Sequence, residues 1–163
     1  MGEIKYGHRE GPGKGREIAV TASQYFLRLG GHFVNISAAG HVQLATDAQC
    51  SSPLYGWAEV PKDAASHNGW KSSSTGGYDK VFIISGCEDK FEIPYDTTLA
   101  SANATEVGNG CGLSSTNATW TMVQKGAYFA TAASCNLIIH DFDKTNQTVI
   151  VSIKPGMFMQ KAA

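Results

Sequence analysis

Charge is scarce in this chain of 163 residues: only 17% are Asp, Glu, Lys or Arg, against roughly a quarter in an average globular protein. The formal net charge is -1. That balance creates no field to draw the protein onto nucleic acid or an anionic membrane, so neither is an expected partner. Long hydrophobic runs are missing too, since none approaches the ~18 apolar residues that cross a bilayer as a helix. The opening Met1-Gly2-Glu3-Ile4-Lys5-Tyr6 has no apolar stretch of the signal-peptide kind, and Tyr6 stands where a myristoylation signal wants Ser or Thr. A product made in the cytoplasm is expected.

The grammar of common active sites is absent as well. No G-x-S-x-G, G-x-G-x-x-G or H-E-x-x-H occurs, and Gly11-Pro12-Gly13-Lys14-Gly15 misses the spacing of a phosphate loop. The cysteines, Cys50, Cys87, Cys111 and Cys135, form no C-x-x-C pair that would hold zinc or run redox chemistry, and buried thiols are expected of them. His32, His41 and His140 with Asp141 and Asp143 could be drawn together as a cupin-like cluster, and Cys87, His140 and Asp141 as a nucleophilic triad. Any chain this rich in histidine and cysteine permits such choices, so no catalytic residue, metal or cofactor is expected. Asp79, Glu88, Asp89, Glu92 and Asp96 lack the regular oxygen spacing of a calcium loop and read as a solvated face or a surface for a partner's basic residues. Asn-x-Ser/Thr sequons at Asn35, Asn103, Asn117 and Asn146 read as by-products of an Asn- and Thr-rich composition.

What is present is a succession of short apolar runs broken by glycine. Tyr25-Phe26-Leu27-Arg28-Leu29, His32-Phe33-Val34-Asn35-Ile36, His41-Val42-Gln43-Leu44 and the run from Leu54 to Val60 precede a polar stretch, 62–79, expected to be a long surface loop. Trp70 in that loop should pack against something, the chain's own core or a neighbour. Val81-Phe82-Ile83-Ile84 is the clearest buried strand, followed by runs at 91–95, 119–123, 127–130, 137–140 and 149–153. Asp96 could cap one short helix over 97–102. The expected fold is all-β, a small antiparallel barrel or sandwich of eight to eleven strands with at most that helix. Residues 1–17, with five glycines and Lys5, Arg9, Lys14 and Arg16, are expected to form a flexible, extended basic arm that cannot fold alone. Residues 18–163 make a single β-rich domain.

With Gly30-Gly31-His32-Phe33-Val34, the run from Gly40 to Asp47, and Leu54 to Glu59 in view, the order of elements resembles the capsid decoration (cement, or head-stabilisation) proteins of tailed bacteriophages. That resemblance implies a structural virion protein that binds the outside of an assembled shell and bridges neighbouring subunits of the major capsid protein. It also implies a homotrimer at threefold positions, with Lys5, Arg9, Lys14 and Arg16 as the capsid-binding arm. Trp70 and the tail residues Met157, Phe158 and Met159, which follow the Pro155-Gly156 break, are the expected oligomer interface. Two other readings stay open. A carbohydrate-binding or adhesin-type module would stack sugars on Trp57, Trp70 and Trp120, and a small cupin-like metal enzyme would use the histidines as ligands.

Overall fold

Runs of three to nine residues rich in β-branched and aromatic side chains can hide their apolar atoms only by pairing edge to edge and stacking the resulting sheets. A computed structural model describes residues 7–27, 32–45, 53–59, 69–94, 107–118, 121–129 and 135–157 of the chain. These hold thirteen strands: β1 (Gly7–Glu10), β2 (Gly15–Ala19), β3 (Tyr25–Leu27), β4 (His32–Ile36), β5 (Val42–Leu44), β6 (Gly56–Glu59), β7 (Gly69–Lys71), β8 (Lys80–Ile84), β9 (Lys90–Pro94), β10 (Gly110–Ala118), β11 (Thr121–Phe129), β12 (Leu137–Asp143) and β13 (Thr148–Ile153). Among the described residues the one helical element is a 3-10 turn, Pro155–Met157. The expected helix over 97–102 lies outside them.

The strands form a six-stranded sheet in the order β1-β9-β13-β12-β10-β11, a five-stranded sheet in the order β2-β8-β6-β4-β5, and a two-stranded ribbon, β3-β7. All strand pairs are antiparallel. The chain is therefore all-β, and of the two expected architectures it is the open sandwich, because neither large sheet closes on itself.

The five-stranded sheet packs against other elements on both faces. One face supplies Phe33, Leu54, Trp57 and Ile84 to a core shared with Phe91, Ile93, Leu137, Ile139, Val149, Val151 and Ile153 of the six-stranded sheet. The other face turns Val34, Val42, Leu44, Tyr55, Ala58, Val81 and Ile83 toward Phe26 and Trp70 of the ribbon. Neighbours such as Phe33-Val34 and Trp57-Ala58 thus serve opposite cores, which is why these runs read as continuously apolar rather than alternating. Between the large sheets Phe33, Trp57 and Phe91 pack ring to ring, with centroids 5.0 to 5.4 Å apart.

More strands form than expected, and three differences have plain causes. The described parts of the runs at 119–123 and 127–130 belong to one long strand, β11, which passes the Gly126 break with a bulge in its pairing to β10; Thr119, Trp120 and Ala130 lie outside the described residues. Part of the expected loop at 62–79 is a strand, because Trp70 pairs with Phe26 and carries its ring onto that residue. Most consequentially, residues 7–17 are not a flexible arm. β1 pairs with β9 at the edge of one large sheet, and β2 with β8 at the edge of the other. A low-apolar segment can be held this way because its order comes from backbone ladders and a buried carboxylate rather than from a core of its own.

Candidate functional site

Two strand connections cross between the large sheets side by side: β1 to β2, through Gly11-Pro12-Gly13-Lys14, and β8 to β9, through Ser85-Gly86-Cys87-Glu88-Asp89. Such sheet-switching corners need tight bends. Asp89 sits at the middle of this one, its side chain 1% exposed, and its Oδ1 meets His8 Nε2 at 2.8 Å. The same oxygen accepts the Gly13 backbone N–H at 2.8 Å. Oδ2 is buried with no hydrogen-bond partner among the described residues. The ring of His8 in turn stands edge-on to Phe91, 5.8 Å between centroids.

Glycine is required where the crossing chain passes this carboxylate. Gly11 has φ +115°, and a Cβ there would lie 2.6 Å from Asp89 Oδ1, while a Cβ on Gly15 would strike the Ile83 carbonyl. The glycines are thus there to let chains approach closely, a constraint the composition alone reads as flexibility.

The four basic residues expected to bind a partner have different fates. Lys5 lies outside the described residues. Arg9 pairs with Glu92, which also accepts the Thr148 hydroxyl at 2.6 Å. Arg16 donates to the Tyr55 hydroxyl at 2.6 Å. Lys14 is exposed at the corner. Two of the three described members of the expected basic arm are therefore engaged within the chain. Beside them Lys90 Nζ donates to Glu10 Oε2 at 2.7 Å, and that hydrogen bond and charge hold the Glu10 carboxyl below its ordinary range.

Of the expected oligomer interface, Trp70 is committed to this chain's own core, half-buried with its ring 5.6 Å from that of fully buried Phe26. β13 ends at Ile153, as the Pro155-Gly156 break implies, and Met157 closes the 3-10 turn. Phe158 and Met159 lie outside the described residues.

The constellations weighed for chemistry do not assemble. His32 is buried beside Phe26, His41 lies against the Gly76-Gly77 turn, and His140 bonds Ser152 Oγ at 2.8 Å. Among the described residues no three His, Cys, Asp or Glu side chains converge as metal ligands would. Partial burial, then the nearby Lys90, push the His140 pKa down, with Glu10 opposing. Burial, then the Glu88 charge, push the Cys87 thiol up, away from the thiolate a nucleophile needs. Cys111 and Cys135 are buried, as expected of them; Cys50 lies outside the described residues. Trp57 is 2% exposed, so it offers no face for a sugar to stack on. The acidic cluster also disperses: Asp89 is buried, Glu92 is ion-paired, and Asp79 accepts the Ser73 N–H.

Sequence reasoning missed Asp89, whose partners His8 and Gly13 lie 81 and 76 residues away. A signal for the corner is available in Gly11, Gly13 and Gly15, three glycines within five residues, the residue type that bends and close backbone approach select. Compared with protein-family models, with curated proteins and with solved structures, the chain gives no match.

Proposed function

We propose that this protein is a structural component of a virion that binds the outside of an assembled capsid shell and fastens neighbouring major capsid subunits. The observation that carries the reading is the anchorage of the N-terminal strands. A fastener transmits load only as well as its attachment resists pulling, and here the N-terminal strands β1 and β2 are tied into the two large sheets. β1 and β2 are held by two antiparallel ladders, by the Asp89 contacts at the corner, and by the Arg9–Glu92 and Glu10–Lys90 pairs. Loading such ladders along the strands strains several hydrogen bonds together.

Lys14, exposed at the corner, and Lys5, ahead of β1, are the basic residues this reading assigns to the shell. A homotrimer on threefold positions supplies the several weak contacts a bridge needs, and Met157, Phe158 and Met159 are assigned to its subunit contacts. The test is sedimentation of the purified chain with assembled shells of a tailed-bacteriophage major capsid protein taken from the genome that encodes the chain. Saturable co-sedimentation, with shells that withstand a higher temperature once decorated, is expected. Shells that sediment bare at tens of micromolar protein contradict the proposal.

A further inference from the structure

Among the described residues no strand or cap covers the side of the five-stranded sheet that ends in β2, and its chemistry is specific. β2 is the last strand of that sheet. Its ladder to β8 is framed by the Ser85 N–H donating to the Lys14 carbonyl and the Val20 N–H donating to the Asp79 carbonyl. Antiparallel pairing alternates, so Arg16 and Ile18 exchange bonds with β8, and the N–H and C=O groups of Gly15, Glu17 and Ala19 point away from the sheet.

Beside that edge the sheet carries an uncovered row. Cross-strand register aligns Glu17 of β2, Phe82 of β8 and Glu59 of β6. Both glutamates are exposed, and Phe82 is 38% exposed although Val81 and Ile83 on either side of it are in the core. Tyr78, 77% exposed, lies two residues before β8. Lys80 is one row away, opposite Ala19, so the row containing Phe82 is acidic.

We infer that this edge takes up an extended segment of another protein as a sixth strand. That segment would carry Lys or Arg opposite Glu17, with its backbone bonded to Gly15, Glu17 and Ala19. Strand addition draws its affinity from main-chain hydrogen bonds and its specificity from alternate side chains, and a cation directly opposite a carboxylate is the favourable cross-strand pair. The basic side chain also lies one strand from the face of Phe82, which a cation favours. A second copy of this chain fits less well. When two identical edges pair antiparallel with their faces matched, the two-fold axis falls on a single residue. Centring on Glu17 opposes two carboxylates, centring on Arg16 opposes two guanidinium groups, and centring on Ile18 leaves Glu17 facing Ala19.

The inference deepens the capsid reading by naming the chemistry of the contact, and it rests on that reading only for the identity of the partner. The test is titration of the full chain, followed by amide NMR, with a blocked hexapeptide of alternating Lys and Val and, separately, its Glu and Val counterpart. The basic peptide should shift the amides of Gly15, Glu17 and Ala19, and the paired substitution Glu17→Gln with Glu59→Gln should weaken it about fivefold. Both glutamates are exposed, so the variant retains its fold. Unshifted β2 amides, equal binding of the two peptides, or shifts that track protein concentration without peptide each overturn the inference. Co-sedimentation with shells by a chain that ignores the peptide rejects this surface and leaves the capsid reading standing, whereas peptide binding without co-sedimentation does the reverse.

Discussion

The two edges of the five-stranded sheet are treated in opposite ways. At the β5 edge the chain blocks its own ladder: the Thr21 N–H donates to the Val42 carbonyl, and the Gln24 side-chain carbonyl accepts the Leu44 N–H at 3.0 Å. Gln24 is itself fixed, because its backbone exchanges hydrogen bonds with Ser72. At the β2 edge the described residues supply no comparable cap. An open strand edge invites pairing with other chains and is usually blunted. With one edge capped and the other open among the described residues, beside an exposed phenylalanine, the second is marked as a surface for use.

The largest expected effect breaks the open edge from within. Asp89→Ala leaves the Gly13 N–H without its acceptor and frees the corner that positions β1 and β2. The loss should be on the order of 3 kcal/mol, given the buried hydrogen bonds removed, and denaturant unfolding measures it. Asp89→Asn, which keeps the acceptor oxygen, should recover part of that loss.

Unblocking the opposite edge comes next. Gln24→Ala should cost about 1 kcal/mol for the lost acceptor, and it should make β5 sticky, so that light scattering detects association beyond the parent's own oligomer. If the variant keeps the parent's size without this cap, the contrast between the edges loses its meaning. Phe82→Ser, by comparison, should change stability by less than about 1 kcal/mol, since the ring is already partly in water, while reducing strand uptake at β2.

The smallest effect is a pH dependence along the six-stranded sheet. The His140 pKa is depressed, chiefly by partial burial, so the unfolded chain binds its proton more readily. Stability should be present above the ordinary histidine value near 6.5 and decline as pH falls below it. Glu10, lowered by its hydrogen bond and charge pairing with Lys90, adds a further decline below the ordinary glutamate value near 4.5. His140→Gln should flatten the upper part of the curve while leaving the lower part in place. An unchanged curve above pH 5 would show that the histidine is not responsible.

The strands themselves were largely legible, because runs such as Phe33-Val34 and Leu137-Ile138-Ile139 leave few ways to hide apolar atoms. Their facing was less so. Val81-Phe82-Ile83-Ile84 reads as uniformly buried, yet where a covering sheet ends depends on partners far away in sequence, and Phe82 lies beyond that limit. The N-terminal strands read as an arm because composition measures a segment's own apolar content, whereas β1 and β2 are held by residues 80–94. Trp70 reads as needing a partner, either the chain's own core or a neighbour, and the ribbon places it on Phe26. The edge chemistry of Glu17 and Glu59 had no local signal at all, since cross-strand register alone brings them to one row with Phe82.

Hydrogen exchange of the β2 amides, with and without the partner shell, tests the account most directly. In the free protein the N–H groups of Gly15 and Glu17 should exchange quickly while those of Arg16 and Ile18, bonded to β8, are protected. In the shell-bound protein Gly15 and Glu17 should become protected as well. Shell binding that leaves their exchange unchanged would contradict the assignment of β2 as the docking edge.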